Sequence, residues 1–503
     1  MKSDKPDNLS NKIQALQNRH IDYLRDESRI SGKAETISFP ENETQIQAII
    51  KSLIEKNTPI TIQGSRTGVT GGAVPVLGHI MNLSKMTRIM GLDMNENNKF
   101  SIRVQPGITL SELGLQLYTR HFDIDGWDKN SLDVLEIFKK GDRFFWPPDP
   151  SERSASIGGI AASNSRGICA HHYGSARNHI KGIRIVDSKG ETHSITKGRS
   201  NLMDLYLGSE GMLGVITELT LELVPLPKEL WGIVFFFEVQ SQAVDFIQAV
   251  KGNKKESNIV AIEFMDQITL ECIREYKLIN SQLKEIPDWD AGLGSAVYLE
   301  IHGNYTEEIE DLALDLLETA ALWGNDPDNT WAFSGETQID RLRLFRHAAP
   351  DSANFIIDRA RQKDPRITKL GTDMALKNTP LSELIEMYQR DLKAHGLKAS
   401  IFGHAADKHL HVNILPKDYQ QFEKAKILLK QWAETIHEKG GSVVTEHGIG
   451  KIKKNLFQSI PLPQVHKKLC RVKQQFDPDG LWNPGNMLDS QKQKPKKDSG
   501  NQE

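Results

Sequence analysis

The chain is poor in the features that mark secreted and disulfide-bonded proteins. Its 503 residues contain only three cysteines, Cys169, Cys272 and Cys470, which lie too far apart for a metal or iron–sulfur motif. Disulfides are therefore not expected, and a reducing cytoplasm is the predicted location. The first residues, MKSDKPDNLSNKIQALQ, lack the apolar core that a secretory signal needs.

Long apolar runs and an excess of one charge are also missing. The longest run, LWGIVFFF from Leu230 to Phe237, is far shorter than the roughly 20 residues of a membrane span, and it predicts a buried strand. A formal net charge of −3 provides no electrostatic footprint for nucleic acid. The polar tail, residues 491–503, is expected to be disordered, and its lysines leave peripheral contact with the anionic inner face of a membrane open.

Glycine, by contrast, is concentrated in a loop that follows a short β-type run, Ile60 to Ile62. The loop holds Gly64, Gly68, Gly71 and Gly72. Such a loop can turn successive N–H groups inward and form a concave anion site that suits a diphosphate. Its spacing is not the G-x-G-x-x-G of a Rossmann fold. Taken alone, an ordinary glycine-rich hairpin is an equally good interpretation.

Two further glycine-rich stretches change that balance. Small residues dominate between Ser154 and Gly167, which lets the backbone lie against a flat ligand. The stretch LYLGSEGMLG then leads into an alternating strand from Val215 to Leu223. Three such loops, each flanked by strands, imply one extended ligand. FAD fits, because it is long and carries both a diphosphate and a flat ring.

The rest of the chain predicts a mixture of helices and strands. Asn42 can cap a helix with a one-sided apolar stripe that leads into the first glycine loop. After Pro227, strands such as Trp231–Val239 alternate with long amphipathic helices such as Phe422–His437, which is an α+β layout. The predicted divisions are a helical segment over 1–34, a cofactor domain over 35–228, a cap domain over 229–455, a C-terminal segment over 456–490 and the tail.

The sharpest chemical pattern lies in the cap, in IFGHAADKHLHVNIL and in GSVVTEHGIG. His404 and His411 bracket a polar loop, and Glu446 and His447 end a strand-like run about 35 residues later. Strand alternation puts His411 and Asn413 on one face. Two imidazoles and a carboxylate form a reasonable three-ligand site for a divalent transition ion. Ordinary buried or surface histidines are the alternative.

The stretches PPDPS, SIGGIAASNSRG, YGSARNHIKGI and GSEGMLGVITE resemble the FAD-binding domain of the vanillyl-alcohol oxidase/p-cresol methylhydroxylase (PCMH) family. The resemblance implies a two-domain α+β flavoprotein, with an N-terminal PCMH-type FAD-binding domain, an α+β substrate-covering cap and a C-terminal segment that returns to the FAD domain. Relatives that attach FAD covalently often use a histidine in the first loop. None lies between Pro59 and Gly78, so non-covalent FAD is expected. The implied FAD-binding residues are Gly64, Ser65, Arg66, Thr67, Gly68, Gly71, Pro148, Asp149, Ser156, Gly158, Gly159, Ala162, Asn164, Gly167, Tyr173, Gly174, Glu210, Gly211, Gly214, Val215, Ile216 and Asn483.

One position in that set departs from the family. The first loop often reads Arg-Gly-Gly-Gly-Thr in relatives, whereas here Gln63-Gly64-Ser65-Arg66-Thr67 stands. Arg66 is either a cation beside the diphosphate or a tolerated surface residue. Near the C-terminus, FDPDGLWNPGNML resembles the closing DP-x-G-x-x-NPG of the family, and it is expected to bring Asn483 to the flavin ring.

The cap pattern resembles the H-x-G-D-G-N-L-H…E-H-G signature of the D-2-hydroxyacid dehydrogenase branch of this family. The resemblance makes His404, His411 and Glu446 ligands of a divalent metal, commonly zinc, and it makes His447 the base and a substrate contact. Three residues depart from the signature where relatives have Gly, Gly and Asn, and they leave loop shape and substrate preference open. They are Ala406, Lys408 and His409.

Two cations complete the site that the resemblance implies. Arg346 matches an arginine that grips the substrate carboxylate, and Lys369 matches a second carboxylate-binding residue. An arginine fork can hold a carboxylate through two hydrogen bonds and so fix which face of the substrate meets the flavin. Asn413 is also expected to reach the substrate. His347 follows Arg346 where relatives usually have Glu.

The implied function is the oxidation of a D-2-hydroxy acid (D-lactate, D-2-hydroxyglutarate or glycolate) to the 2-oxo acid. Hydride passes to FAD, with a metal-polarised hydroxyl and a histidine base. The implied partners are the small substrate and an external electron acceptor: a quinone, a cytochrome, an electron-transfer flavoprotein or an iron–sulfur subunit. A homodimer stays open. The alternatives are a metal hydrolase, a non-redox alkyl transferase like the ether-lipid synthases, and a non-catalytic partner subunit.

Overall fold

The computed structural model of the protein describes residues 12–199, 201–253 and 256–489. The strands of its N-terminal domain are β1 (Gln14–Ala15), β2 (Thr36–Ser38), β3 (Ile60–Gln63), β4 (His79–Asn82), β5 (Ile89–Met94), β6 (Phe100–Val104), β7 (Phe144–Phe145), β8 (Ile180–Val186), β9 (Thr192–Thr196), β10 (Val215–Glu222) and β11 (Val224–Pro225). The helices of the same domain are α1 (Glu43–Glu55), α2 (Leu110–Thr119), α3 (Lys129–Lys140), α4 (Ile157–Ser163), α5 (Ala170–Tyr173) and α6 (Leu202–Tyr206).

The cap domain follows without a break. Its strands are β12 (Glu229–Phe237), β13 (Ile259–Asp266), β14 (Ser295–Gly303), β15 (Thr330–Ser334), β16 (Leu370–Gly371), β17 (Met374–Ala375), β18 (Ala399–His404) and β19 (His409–Ile414). Its helices are α7 (Gln240–Lys251), α8 (Gln267–Lys277), α9 (Thr306–Leu322), α10 (Glu336–Lys363), α11 (Leu381–Ala394) and α12 (Tyr419–Glu438). Two last helices, α13 (Lys454–Ser459) and α14 (Pro463–Phe476), lead back towards the N-terminal domain.

The N-terminal domain opens with the predicted β–α–β unit. Strands β2 and β3 both pair in parallel with β4, and α1 connects β2 to β3. The side chain of Asn42 caps α1 by accepting the N–H of Gln45 at 3.0 Å. The apolar face of α1, which includes Ile46 and Ile50, packs on this sheet. A second, antiparallel sheet has the order β5-β6-β10-β8-β9.

The cap is built on one eight-stranded sheet with the order β15-β12-β14-β13-β18-β19-β16, in which β17 also pairs with β19. Successive residues of β12 alternate between its two faces, as strand geometry requires. Phe235 packs against the core that includes α7, α9, α11 and α12, whereas Phe236 packs on the side of α8 and α10. Helices therefore cover both faces, which explains the continuous apolar run of β12.

The prediction of a buried strand from Leu230 to Phe237 is confirmed by these contacts. Within the part of the chain that the structure describes, no helix combines the length and the apolarity that crossing a bilayer requires.

The C-terminal segment returns to the N-terminal domain, as the resemblance implied. Trp482 forms a parallel bridge with Ile60 of β3, and the N–H of Asn483 donates to the carbonyl of Ile60 at 2.8 Å. Asp477 fixes the preceding turn, because its carboxylate accepts the N–H groups of Leu481 and Trp482, each at 2.9 Å. The indole of Trp482 is buried in the core beneath β3.

The structure describes only part of the N-terminal segment and none of the C-terminal tail. The segment predicted to be helical over 1–34 contains, in its described part, a 3-10 helix over Asn18–Leu24 and the short strand β1, with extended chain between them. The remainder of that segment and the predicted disordered tail lie outside the described residues.

Because the indole of Trp482 is fully buried beneath β3, Trp482→Ala is expected to lower the free energy of unfolding by about 3–5 kcal/mol. Trp323→Ala is the matched control, since Trp323 is 40% exposed at the end of α9, and its loss should cost less than about 1 kcal/mol. Urea denaturation of both variants measures the difference. Equal losses would show that the C-terminal segment is not what stabilises β3.

Candidate active site

A cleft with a volume of about 490 Å³ lies between the two domains. All three glycine-bearing segments reach it, so the structure brings together parts of the chain that are about 150 residues apart. One wall belongs to the N-terminal domain, and the other belongs to α10, β18, β19 and the loop after α12. The predicted cofactor residues that line this cleft are Gly64, Ser65, Arg66, Thr67, Gly68, Ser156, Gly158, Gly159, Ala162, Gly167, Glu210, Gly211, Gly214, Ile216 and Asn483.

The glycine loop after β3 lies directly on the start of α4. A Cβ at Gly64 would stand 2.0 Å from the Oγ of Ser156, which caps α4 by accepting the N–H of Gly159 at 3.3 Å. Any side chain at Gly64 would therefore displace the cap. At Gly68, by contrast, nothing lies within 4 Å of the Cβ position, so the loop leaves space for a ligand there.

These residues fit FAD. The cleft volume is in the usual range for a small-molecule or cofactor site, about 300–1,000 Å³. Its N-terminal wall consists largely of backbone and small polar side chains, which can approach a flat ring and a diphosphate closely. Glu210 is the acidic residue among the predicted cofactor residues that line the cleft. Its carboxylate accepts the N–H groups of Ile449 at 2.6 Å and Gly450 at 2.8 Å, so it is paired within the protein.

Seven of the predicted cofactor residues do not line the cleft. Val215 is a buried residue of β10 in the core with α1. The hydroxyl of Tyr173 hydrogen-bonds His302 of the cap at 2.9 Å, and the side chain of Asn164 accepts the N–H of Arg177 at 3.0 Å. The seven are Gly71, Pro148, Asp149, Asn164, Tyr173, Gly174 and Val215.

The other members of that group support neighbouring loops. The carbonyl oxygen of Asp149 lies 2.3 Å from the Cβ position of Gly167, and Pro148 beside it is buried. Gly71 abuts Ile30 and has a φ of +76°. These residues therefore shape the walls behind the cleft.

Arg66 and Asn483 line the cleft, but each also has partners in the protein. The guanidinium of Arg66 donates to the carbonyl of Asp22 at 2.7 Å and lies 4.2 Å from the centre of the Tyr23 ring. The amide of Asn483 accepts the N–H of Ile62 and donates to the carbonyl of Glu210, both at 2.7 Å. Asn483 thus joins the first and third glycine segments.

On the opposite wall, Arg346 projects from α10 and is only 3% exposed. Its Nε donates to Glu263 at 2.9 Å, and its Nη1 donates to Ser151 of the N-terminal domain at 2.8 Å. Glu263 also holds the Nδ1 of His404 at 2.5 Å. Burial alone would raise the pKa of Glu263, but the charges of His404 and Arg346 lower it to about 2. One carboxylate therefore positions both the arginine and the first histidine.

Lys369, Asn413 and His347 line the cleft beside Arg346. Burial lowers the pKa of Lys369 to about 8, although the carboxylate of Asp351 opposes this shift. Burial and the adjacent Arg346 lower the pKa of His347 to about 3, so its ring adds no charge at neutral pH. The structure therefore places two cations and one amide donor on the same wall.

The predicted metal ligands come together on the same wall of the cleft. The Nε2 of His404 lies 3.3 Å from one oxygen of Glu446, and the Nε2 of His411 lies 3.1 Å from the other. Ligands around a tetrahedral ion with bonds of about 2.0–2.1 Å are separated by roughly 3.4 Å, so these distances suit a divalent ion. Strand pairing explains the approach, because His404 of β18 pairs with His409 of β19 and so lies diagonally opposite His411 on the same face.

The electrostatics of this cluster also suit a cation. Burial would lower the pKa of His404, but the carboxylates of Glu263 and Glu446 raise it to about 10. Burial lowers the pKa of His411 to about 3, so that ring is neutral. Without a metal, a proton on His404 therefore balances the carboxylates. A divalent ion would take the place of that proton.

The segment that carries Glu446 and His447 differs from the prediction. It was expected to end a strand, but residues 441–450 contain no strand apart from an isolated bridge between Ala375 and Ser442. Instead, the N–H groups of Glu446 and His447 donate to Asp373 at 3.1 and 3.0 Å. The apolar pair before them packs on the two domain cores and pairs with no strand; it consists of Val443 and Val444.

His447 lines the cleft with its side chain 33% exposed, whereas His404 and His411 are buried and the side chain of Glu446 is 11% exposed. Its ring stacks on His411 with 5.0 Å between centroids, and its Nε2 lies 3.3 Å from Glu446. The structure thus puts the predicted base at the open side of the cluster.

The loop between β18 and β19 keeps a compact hairpin in spite of its departures from the signature. Ala405–Asp407 form one 3-10 turn, and Lys408 adopts the left-handed conformation, with a φ of +51°, that glycine favours. The Nζ of Lys408 donates to the carbonyl of Lys377 at 2.8 Å, away from the histidines. Asp407 pairs with Arg166 of the N-terminal domain and anchors the turn.

Three residues that contact the predicted site residues were not predicted from the sequence to belong to the site. His409 joins His404, His411 and Glu446 in a group whose potential ligand atoms all lie within 4.8 Å of one another. It could have been found from alternation, because it precedes His411 by two residues on one strand. Glu263 and Asp373 are single carboxylates in extended segments, and the sequence contains no signal for them.

Two family models match the chain. The model described as FAD linked oxidases, C-terminal domain, matches residues 226–487, and the model described as FAD binding domain matches residues 34–124 and 131–196. These matches confirm the FAD-binding domain, and they confirm the family that the glycine-rich stretches predicted.

Relatives that are named as dehydrogenases align with nearly the whole chain. A D-lactate dehydrogenase of Anaerostipes hadrus is 27% identical over 493 residues, which is 93% of this chain and 92% of the relative. A mitochondrial D-2-hydroxyglutarate dehydrogenase of Rattus norvegicus is 25% identical over 94% of this chain and 81% of the relative.

A solved structure of alkyldihydroxyacetonephosphate synthase has the same fold. It is 16% identical, has a TM-score of 0.65, and covers 94% of this chain and 82% of the synthase. The C-terminal family model alone spans just over half of the 503 residues. The chain therefore belongs to the FAD-linked oxidases.

Proposed function

We propose that this chain is an FAD-dependent dehydrogenase that oxidises a D-2-hydroxy acid to the corresponding 2-oxo acid. D-lactate, D-2-hydroxyglutarate and glycolate are the candidate substrates. One observation carries the proposal: two cations and a histidine–carboxylate cluster face the glycine loops across a single cleft. That arrangement offers separate places for a carboxylate, a hydroxyl and a flat cofactor.

The carboxylate of the substrate is held by Arg346 and Lys369. Arg346 is fixed in advance by Glu263 and Ser151, so little side-chain entropy is lost when it binds an anion. Lys369 lies on the same wall and is a cation below a pH of about 8. Charge-assisted hydrogen bonds of this kind fix orientation as well as affinity. Asn413 adds an amide group that can donate a further hydrogen bond.

His404, His411 and Glu446 would hold a divalent metal ion, with zinc as the expected identity for a nitrogen- and oxygen-bearing site. When bound, FAD supplies the hydride acceptor and the ion polarises the substrate hydroxyl, which is worth about 6 kcal/mol if half of the pKa drop known for zinc-bound water applies. The raised pKa of His404 supports this assignment, because it reflects two nearby carboxylates, and burial keeps His411 neutral, which is the form that binds a metal.

His447 is the proposed base for the hydroxyl proton. Its ring reaches the cleft, while its backbone N–H is held by Asp373 and its face is stacked on His411. A positioned base typically contributes about 10²–10⁴-fold to a rate, or some 3–5 kcal/mol. The contribution of His447 is therefore smaller than the share assigned to the metal site.

The remaining features of the proposal concern the cofactor and the partners. FAD is non-covalent, because no histidine lies in the loop from Pro59 to Gly78 that could attach it. The proposed partner is an external electron acceptor that would reoxidise the cofactor: a quinone, a cytochrome, an electron-transfer flavoprotein or an iron–sulfur subunit. A cytoplasmic location accords with the small number of cysteines.

Anaerobic mixing of the purified yellow protein with D-2-hydroxy acids is expected to bleach the flavin absorbance. The L-enantiomers should not bleach it, because Arg346 and Lys369 fix one face of the substrate. Protein stripped of metal by a chelator should bleach far more slowly. A colourless protein that takes up no FAD would end the proposal. A yellow protein that no acid of the panel reduces would instead favour the non-redox alkyl transferase.

His404→Ala is expected to lower turnover by about 10⁴-fold while leaving the FAD spectrum unchanged, since the residue contacts the proposed metal site and no glycine loop. His395→Ala is the control, because His395 lies at the end of α11 and hydrogen-bonds only the carbonyl of Asp391 among the described contacts. Loss of FAD together with turnover in His404→Ala would assign His404 a structural role.

The KM for the substrate is expected to rise as the pH passes about 8, because Lys369 then loses its proton and with it the charge that binds the carboxylate. Lys369→Arg should remove that rise, since a guanidinium stays protonated throughout this range. Steady-state rates between pH 6 and pH 10 test both expectations. An unchanged pH profile in Lys369→Arg would assign the titration to another group.

A further inference from the structure

His409 stands where the branch signature has asparagine, and its environment resembles that of the two assigned histidines. The side chain is 1% exposed on β19, two residues before His411, and it points to the same face of the sheet. The centroid of its ring lies 4.7 Å from that of His411 and 5.4 Å from that of His404. Three buried imidazoles therefore surround Glu446, in addition to the partly exposed His447.

Two atoms in this cluster are buried without a hydrogen-bond partner among the described residues. They are the Nδ1 of His409 and the Oε2 of Glu446. The two atoms lie 3.9 Å apart, and the Oε2 is 3.3 Å from the Nε2 of His404. Buried polar atoms are rarely left unpaired in folded proteins. A cation between them would satisfy both.

The second nitrogen of each ring faces a hydrogen-bond acceptor on the side away from Glu446. The Nδ1 of His404 lies 2.5 Å from Glu263, and the Nε2 of His409 lies 3.1 Å from Asp373. The Nδ1 of His411 lies 3.4 Å from the carbonyl oxygen of Thr372. Because an ionised carboxylate can only accept, the Nε2 of His409 carries the hydrogen and its Nδ1 offers a lone pair. This is the usual outer support of metal-binding histidines.

We propose that His409 is a fourth protein ligand, so that this chain binds its metal through three imidazoles and one carboxylate. The four potential ligand atoms lie within 4.8 Å of one another. Four protein ligands would fill the four positions that zinc commonly uses, so a substrate hydroxyl would reach the ion only as an additional ligand. This inference rests on the metal site of the proposed function but not on the identity of the substrate.

The test compares the wild-type protein with His409→Asn, which restores the residue of the signature and can still donate to Asp373. Each protein is stripped with a chelator and titrated with Co²⁺ and with Zn²⁺ in competition with a chromophoric chelator. X-ray absorption at the zinc edge then counts the imidazole ligands. His395→Asn is the matched control, since it removes one imidazole outside the cluster.

The wild type is expected to show three imidazole nitrogens around one Zn²⁺, and His409→Asn two, with an affinity weaker by roughly 100-fold or more. The control should keep the wild-type affinity. Two imidazoles in the wild type, or an affinity of His409→Asn within about threefold of it, would overturn the inference. The wild-type count needs no variant, so the inference stays falsifiable if His409→Asn fails to fold. Flavin bleaching by substrate tests the dehydrogenase separately, because it does not depend on the ligand count.

Discussion

The site depends on how the loop with Glu446 and His447 is held. Apart from the bridge of Ser442 to Ala375, the N–H groups of this loop have no strand partner among the described residues, and buried amides need acceptors. Two carboxylates supply them from opposite domains: Asp373 of the cap takes the amides of Glu446 and His447, and Glu210 takes those of Ile449 and Gly450. The contact between the two domains therefore sets the positions of Glu446, the proposed metal ligand, and of His447, the proposed base.

A third carboxylate, Glu263, links the proposed substrate-binding arginine to the proposed metal-binding histidine. Glu263 hydrogen-bonds both Arg346 and His404, so a shift of one of these side chains disturbs the hydrogen bond of the other. Arg346 also reaches Ser151 across the domain boundary. One continuous hydrogen-bonded chain thus joins Ser151, Arg346, Glu263 and His404. Such a chain favours a fixed geometry over independent adjustment of each group.

The sequence predicted those parts that local patterns encode. The cap of α1 by Asn42, the buried run of β12 and the glycine loops around one cleft all follow from short-range rules. Glu263 and Asp373 could not be found this way, because each is a single carboxylate whose partners lie far away in the chain. The valines before Glu446 predicted a strand, yet they pack on the two cores. Tertiary packing overrode the local preference there.

The departures of this chain from the signature can be separated by their physical effect. Lys408 takes the left-handed position that suits glycine, and Asp407 still ties the turn to Arg166, so the hairpin keeps its shape. His409 changes no backbone geometry; it adds an imidazole to the inner face, opposite Asp373, which supports it. The hairpin is therefore compact with these residues, and His409 adds a possible donor atom to the cluster. Under the proposed function, such a difference would act on the bound ion and, only through the ion, on the substrate.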